Sequence, residues 1–241
     1  MAIDFTKIDK WALGKHFDHS VLPKNTNEED IRKGCREAVK YNCAAFYSAS
    51  PYWTPVVVEE LKGTDVLPAT GIDFPFGASP GKLKALETEY AVKAGCKAVD
   101  IVINVGALRD RRYDVCKQEL VDYKAAAAGA LTKVILETAF LTDEEIAAEC
   151  KIIAEVGCDY AKTATGQFEG PSMNQFLVMK KALAGTPVKL KVAGVKFPRP
   201  QNAYAFLLAG AEIIGTRAAV EIIEALDQMR EIGLLPPYNE G

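Results

Sequence analysis

The stretch Tyr160-Ala161-Lys162-Thr163-Ala164-Thr165-Gly166 sets a lysine in the middle of a short predicted strand that ends at a glycine turn. Small and β-branched residues around Lys162 favour an extended backbone. A lone lysine in a strand is usually a rim residue whose ammonium reaches water. This stretch alone therefore leaves a rim lysine and an interior lysine equally open, and the choice depends on two other predicted strands.

Both of those strands carry charged side chains on one face only. Residues 188–194, VKLKVAG, place Lys191 opposite an apolar face, and residues 99–105, VDIVINV, do the same for Asp100. If the apolar faces meet covering helices, Lys162, Lys191 and Asp100 point into one shared interior. Buried charges are costly unless they are paired, so two lysines and an aspartate that converge there indicate a reactive amine rather than packing.

Predicted strands and helices alternate along the whole chain, in units of roughly thirty residues. Strict alternation predicts a parallel sheet covered by helices, and eight units in 241 residues favour a TIM (β/α)8 barrel over an open doubly wound sheet. We expect residues 1–241 to form a single domain that opens with a short leading helix over residues 3–13. Capping boxes are predicted at Thr26 to Glu29 and at Thr142 to Glu145.

The barrel fold predicts where the site lies. Active sites of TIM barrels lie at the carboxyl ends of the strands and in the loops that follow them. Lys162 and Lys191 are one repeat unit apart, which puts them on neighbouring strands. The candidates at the strand ends are Asp100, Asn104, Glu137, Lys162, Thr165 and Lys191.

Composition excludes several classes of protein. A net charge of −3 and the lack of a basic tail argue against a nucleic-acid partner. No apolar run reaches the length of a membrane span, and the first residues do not resemble a signal peptide, so we expect a cytoplasmic protein. Six scattered cysteines are expected to be reduced thiols. With two histidines and no clustered cysteines, we expect neither a metal nor another cofactor.

The predicted cluster suits covalent chemistry at a carbonyl group. An amine attacks a carbonyl only when it is unprotonated, whereas the pKa of a free lysine is ~10.4. Burial and the neighbouring charge of Lys191 would both lower the pKa of Lys162 and make it a Schiff-base lysine. Asp100 is the candidate acid–base group. The alternative is a buried Lys191–Asp100 ion pair with Lys162 at the rim. Asp18 could line the site or brace the barrel.

An anion site is predicted with weaker support. TIM barrels often bind phosphate at the loops after strands 7 and 8, and glycines end three strands here, at Gly166, Gly194 and Gly215. Any tight turn would also use glycine there. Lys196 and Arg217 follow the last two glycines, either as anion ligands or as solvated surface charges.

The motifs together resemble the deoxyribose-phosphate aldolase family, the class I aldolases of the DeoC type, from about His16 to Val220. The matching stretches, in the family's order, are FDHSVL (17–22), GIDFPFGA (71–78), AVDIVINVGAL (98–108), KVILETAFLTDEE (133–145), YAKTATG (160–166), LKVAG (190–194) and IIGTRA (213–218). The resemblance implies that Lys162 is the Schiff-base nucleophile, Lys191 the second lysine and Asp100 the acid–base aspartate. It implies reversible addition of acetaldehyde to D-glyceraldehyde 3-phosphate, giving 2-deoxy-D-ribose 5-phosphate, by a homo-oligomer, a dimer in the family.

The departures from the family pattern lie mostly at the phosphate end. Gly194-Val195 replaces a glycine pair, Lys196-Phe197 stands where an arginine is usual, and residues 215–218 lack the common serines. Phe46-Tyr47 occupies a donor-pocket position where smaller residues are frequent. The resemblance therefore implies intact core chemistry with altered acceptor recognition. Two alternatives remain: an aldolase of the same mechanism for another aldehyde, and a non-catalytic barrel that binds sugar phosphates.

Overall fold

The strands form a closed barrel, as the alternation predicts. The computed structural model describes residues 3–239. Eight parallel strands pair in sequence order, and β1 closes the ring by pairing with β8. The strands are β1 (Phe17–Val21), β2 (Ala45–Ser48), β3 (Leu67–Ile72), β4 (Ala98–Val102), β5 (Leu131–Ile135), β6 (Tyr160–Lys162), β7 (Lys189–Ala193) and β8 (Ile213–Thr216).

Helices connect the strands and surround the barrel. The α-helices of the described residues are α1 (Lys10–Leu13), α2 (Glu28–Lys40), α3 (Thr54–Glu60), α4 (Gly81–Lys93), α5 (Val105–Arg109), α6 (Tyr113–Ala127), α7 (Asp143–Val156), α8 (Met173–Ala182), α9 (Arg199–Ala209), α10 (Ala219–Glu224) and α11 (Leu226–Glu231). Across residues 3–239, no helix has both the length and the apolarity to span a bilayer. The TIM barrel is confirmed; that residues 1–241 make a single domain stays a prediction.

The main core lies between the barrel and the helices, and the barrel interior is polar. Outward-facing strand residues such as Val99, Ile101 and Val192 belong to the large apolar cluster that the helices cover. Alternate residues point inward, because successive side chains of a strand leave opposite faces. Strand register places Lys191 beside Lys162, and Asp100 beside Lys133. The alternation in the sequence therefore brings charged groups from several strands into one interior.

Two helix starts differ from the prediction. The leading helix covers only Lys10–Leu13, because the Asp9 side chain accepts from the backbone N–H of Ala12 and caps it there. The capping box of α2 is formed by Asn27 and Asp30, not by Thr26 and Glu29.

The position of Thr26 explains the shift at α2. Its hydroxyl donates to the carbonyl of Pro23 and closes the preceding turn, so it is not available to cap the helix. The box of Thr142 and Glu145 at the start of α7 is confirmed.

Three strands end earlier than predicted. β5 ends at Ile135, so Glu137 lies beyond it. β4 ends at Val102, so Asn104 lies beyond it, and its side chain accepts from the N–H of Ala107 at the start of α5. β6 ends at Lys162, so Thr165 lies in the loop after the strand. Asn104 therefore acts as a helix cap and is not among the residues that line the cleft.

Candidate active site

A cleft opens at the carboxyl ends of the strands and encloses about 700 Å³ including its mouth. Its depth is set by the inward side chains of the barrel and its rim by the loops. The predicted site residues that line it are Asp18, Asp100, Lys162, Thr165, Gly166, Lys191, Gly194, Gly215 and Arg217. Three predicted residues do not line the cleft: Asn104, Glu137 and Lys196.

Two lysines share one carboxylate oxygen at the bottom of the cleft. Lys162 Nζ and Lys191 Nζ each lie 2.7 Å from Asp100 Oδ2. Lys162 is 6% exposed, Lys191 1% and Asp100 0%. Lys162 is therefore an interior residue, and the alternative of a rim lysine is wrong.

A third buried lysine, which sequence reasoning missed, extends this cluster. Lys133 Nζ on β5 lies 2.7 Å from Asp18 Oδ2, and the same oxygen is 2.7 Å from Lys191 Nζ. Asp18 thus lines the cleft and also braces the barrel. Lys133 occupies an inward position of its strand beside Asp100, so the period-two pattern of residues 131–135 was the signal available in the sequence.

The environment makes the two catalytic candidates different in charge. Burial is the main cause that lowers the pKa of Lys162 to about 8, and the ammonium of Lys191 lowers it further against the opposing effect of Asp100. Burial also acts on Lys191, but the carboxylates of Asp100 and Asp18 outweigh it and hold the pKa of Lys191 above its usual value. Lys162 is the amine that loses its proton near neutral pH, and Lys191 remains a cation.

Asp100 stays ionised in this setting. Burial by itself would raise the pKa of Asp100, but the ammonium groups of Lys162, Lys191 and Lys133 lower it below the ordinary value of an aspartate. An ionised carboxylate only accepts hydrogen bonds. Asp100 therefore accepts hydrogen bonds from the ammonium groups of both lysines.

Comparisons with known proteins identify the family of this chain. The model of the DeoC/LacD family aldolases matches residues 13–199. The chain belongs to this family. It is accordingly a lyase of the aldehyde-lyase type. The deoxyribose-phosphate aldolase of Clostridium tetani is 39% identical over 213 residues, which cover 88% of this chain and 98% of the relative. That of Streptococcus sanguinis is 38% identical over 212 residues, 88% of this chain and 96% of the relative.

Solved structures of aldolases share the fold. The deoxyribose phosphate aldolase of Aeropyrum pernix, described as a tetramer, superposes with a TM-score of 0.83 at 25% identity, over 92% of this chain and 93% of that one. The aldolase QR15 gives a TM-score of 0.83 at 27% identity, over 92% and 98%. The DeoC-type resemblance drawn from the sequence is confirmed.

The loops after β5, β6 and β7 lock together above the lysines of this DeoC/LacD barrel. Both carboxylate oxygens of Glu137 lie 3.2 Å from the backbone nitrogen of Thr165, and Glu137 itself adopts a left-handed backbone with φ 55°. A Cβ atom added to Gly170 would lie 1.8 Å from the carbonyl oxygen of Gly194, so only glycine fits where these loops meet. Glu137 therefore holds the loop after Lys162 in place.

The phosphate end of the cleft differs from the prediction. Lys196 is exposed and lies outside the cleft, whereas Arg199, which sequence reasoning missed, lines it together with Arg217. The chain turns at Phe197 before α9, and this turn brings the side chain of Arg199, rather than that of Lys196, to the cleft. The guanidinium carbon of Arg199 lies 4.1 Å from the centroid of the Phe197 ring.

Only one of the two aromatic residues predicted for the donor pocket reaches it. Phe46 belongs to the apolar core outside the barrel, whereas Tyr47 points inward and lines the cleft. Among residues 3–239, no group of three or more His, Cys, Asp or Glu side chains is arranged to hold a metal ion. That the reaction needs no metal stays a prediction.

Proposed function

We propose that this chain is a class I aldolase in which Lys162 forms a Schiff base with the substrate. The default substrate is 2-deoxy-D-ribose 5-phosphate, cleaved reversibly to acetaldehyde and D-glyceraldehyde 3-phosphate. The observation that carries the proposal is the shared oxygen of Asp100, which both lysines contact at 2.7 Å in a buried cleft. That arrangement places a depressed-pKa amine beside a permanent cation, which is what imine formation at neutral pH requires.

The bond changes follow from the chemistry of an iminium. Neutral Lys162 Nζ attacks the C1 aldehyde of the open-chain sugar, and the resulting carbinolamine loses water to become an iminium. The C3 hydroxyl gives up its proton, the C2–C3 bond breaks, and its electron pair forms an enamine on C1 and C2. Glyceraldehyde 3-phosphate leaves. Protonation at C2 and addition of water then release acetaldehyde and restore the amine.

Asp100 and Lys191 would move the protons in these steps. Lys162 and Lys191 both donate to Asp100 Oδ2, so a proton acceptor and a second proton donor lie next to the reacting nitrogen. General acid–base groups in such positions contribute on the order of 10²- to 10⁴-fold to rate.

Borohydride trapping tests the proposal. Acetaldehyde with borohydride should add a two-carbon unit to Lys162, which mass spectrometry of peptides would locate. Lys162→Arg keeps the charge but cannot form a stable imine, so it should lose both the adduct and turnover. Lys189→Arg is the matched control, since Lys189 is an exposed lysine on β7 paired with Glu212. An adduct on another lysine, with Lys162→Arg active, would sink the mechanism. A parent protein that traps no carbonyl compound would favour the non-catalytic barrel.

We also propose that the acceptor aldehyde is anionic and that Arg217 and Arg199 bind it. Guanidinium groups contact phosphates or carboxylates at two points, and both arginines line the cleft. Arg217→Ala or Arg199→Ala should raise KM for a phosphorylated aldehyde far more than for a neutral aldehyde of similar size. Lys196→Ala is the matched control, because Lys196 lies outside the cleft. Equal KM changes for both aldehydes would favour the alternative of an uncharged acceptor.

The remaining expectations concern the assembly and its place in the cell. A homo-oligomer and a cytoplasmic protein both stay predictions. The tetrameric relative from Aeropyrum pernix supports self-association. Light scattering coupled to gel filtration would decide between a monomer and an oligomer, for which the expected state is a dimer.

A further inference from the structure

One buried side chain in the cleft has no part in the mechanism above. Tyr47 on β2 is 4% exposed, and its hydroxyl donates a hydrogen bond to Asp100 Oδ1. The centroid of its ring lies 3.9 Å from Lys191 Nζ and 5.6 Å from Lys162 Nζ. Tyr47 therefore touches the carboxylate with its edge and the second lysine with its face.

The phenol is a neutral donor in this position. Burial, together with the charges of Asp100 and Asp18, raises the pKa of Tyr47 well above that of a free tyrosine. Asp100 is ionised and can only accept, so the hydrogen of this bond belongs to Tyr47.

The two oxygens of Asp100 have different partners because of Tyr47. Oδ2 accepts from both lysines, and Oδ1 accepts from Tyr47. Conversion of Lys162 to an imine removes donor hydrogens from Oδ2. A carboxylate held by Lys191 alone could then turn about its side-chain bond, whereas a second donor on Oδ1 keeps Oδ2 aimed at the reacting nitrogen.

The ring face acts on Lys191. A lysine ammonium within about 6 Å of an aromatic centroid is attracted by the negative face of the ring, more strongly when water is excluded. Lys191 meets that condition at 3.9 Å and is 1% exposed. Tyr47 therefore helps to hold the Lys191 ammonium, which Asp100 and Asp18 already keep charged, at its place near Lys162, where that charge favours the neutral form of Lys162.

The barrel makes room for this ring. Around Tyr47, inward positions of β2, β3 and β4 hold alanines, and these form a small cluster with it: Ala45, Ala69 and Ala98. A large side chain surrounded by small ones fills the interior without displacing the strands. The site is thus packed for an aromatic residue at this position.

We propose that Tyr47 is a positioning residue of the aldolase reaction, whose hydroxyl orients the Asp100 carboxylate and whose ring stabilises the Lys191 ammonium. This inference rests on the proposed function. The charged and titratable groups that face the cluster are Asp18 from β1, Asp100 from β4, Tyr123 from α6, Lys133 from β5, Glu137 from the loop after β5, Lys162 with Tyr160 from β6, and Lys191 from β7.

Two variants separate the hydroxyl from the ring. Tyr47→Phe keeps the ring over Lys191 and removes the donor, so kcat should fall by about 10- to 100-fold with KM little changed and imine still trapped at Lys162. Its pH midpoint for imine formation should stay close to that of the parent. Tyr47→Leu removes both contacts and lets the Lys191 ammonium move away from Lys162, so its midpoint should also move upward. Tyr160→Phe is the control, because the Tyr160 ring shares only Lys133 with Tyr47 and otherwise lies over Lys189, away from Lys162 and Lys191.

The outcomes decide the proposal. A role in packing alone predicts parental kcat for Tyr47→Phe, and that result would overturn the inference. An unchanged pH midpoint of imine formation in Tyr47→Leu would overturn the role assigned to the ring. If Tyr47→Leu does not fold, 3,5-difluorotyrosine at position 47 is the second variant. It keeps about the same side-chain volume but weakens the negative charge on the face of the ring, so the pH midpoint of imine formation must rise. Failure of the parent to trap a carbonyl compound would instead refute the proposed function, whatever the Tyr47 variants do.

Discussion

Lys191 is expected to set the protonation state of Lys162. Lys191→Met removes the cation that favours neutral Lys162, so the pKa of Lys162 should rise from about 8. Imine trapping as a function of pH should show a higher midpoint, and each unit of rise leaves about tenfold less amine at pH 7. Lys191→Arg should retain part of the shift. A Lys191→Met protein with the parental midpoint would contradict this role.

Asp100 is expected to have the opposite effect on the same midpoint. Its charge raises the pKa of Lys162, so Asp100→Asn should move the midpoint of imine trapping downward. Turnover should nevertheless fall on the order of 10²- to 10⁴-fold, because the proton acceptor is lost. Trapping and turnover are measured on the same preparation. Near-parental turnover would make Asp100 a structural ion-pair partner only.

Sequence patterns predicted the central residues of the site and missed others for physical reasons. Lys162, Lys191 and Asp100 were predictable because each interrupts an apolar alternation at a strand position whose facing is fixed by the period of two. Arg199 was not, because a turn of unknown geometry separates it from the strand. Lys133 lies in the same kind of alternation, but a single lysine in a strand gave no reason to place its side chain inside the barrel rather than at the rim.

At the scale of elements, the contact between two loops is expected to limit the acceptor end of the cleft. Gly170→Ala would place a methyl group 1.8 Å from the carbonyl of Gly194, so the loops after β6 and β7 must separate. KM for a phosphorylated aldehyde should rise and the thermal midpoint should fall. Gly106→Ala, in α5, is the control, since its added atom meets only the Asn104 side chain at 3.4 Å. Unchanged KM and midpoint in Gly170→Ala would contradict the contact.

Element types were predictable from the sequence, and element ends less so. Thr142 and Glu145 cap α7 as predicted, but at α2 the cap moved to Asn27 because Thr26 bonds to Pro23. Two neighbouring polar residues compete for such a role, and the turn before the helix decides between them. Asn104 likewise caps α5, a helix that the sequence concealed because the strand-like alternation of residues 99–105 continues into its first residue.

At the scale of the whole molecule, a buried acid outside the cleft makes stability depend on pH. Glu149 on α7 is fully buried, its oxygens have no hydrogen-bond partner among residues 3–239, and burial with the charge of Glu119 raises its pKa to about 8. Lys84 faces the same group and opposes this shift. The unfolded chain therefore releases this proton from about pH 4.5 upward while the folded chain keeps it until about pH 8, so stability is lost as pH rises through that window.

Glu149→Gln removes this titration. The thermal midpoint of Glu149→Gln minus that of the parent should grow by about 5 °C or more between pH 5 and pH 8. All other groups titrate in both proteins and cancel in the difference. A difference that stays constant, or that shrinks toward pH 8, would show that Glu149 is ionised in the folded protein.

The ion pairs inside the barrel determine which substitutions the protein tolerates there. Lys133, Lys162 and Lys191 meet two carboxylates, Asp18 and Asp100, in a volume almost closed to water. With every group ionised, the set carries one positive charge in excess. Loss of the Lys162 proton makes it electroneutral, so the reactive form of the enzyme is also the one with balanced interior charge. Substitutions that delete one cation and one anion together keep the neutral-amine form balanced. Deletion of Lys133 or Lys191 alone instead makes the protonated, unreactive form of Lys162 the balanced one.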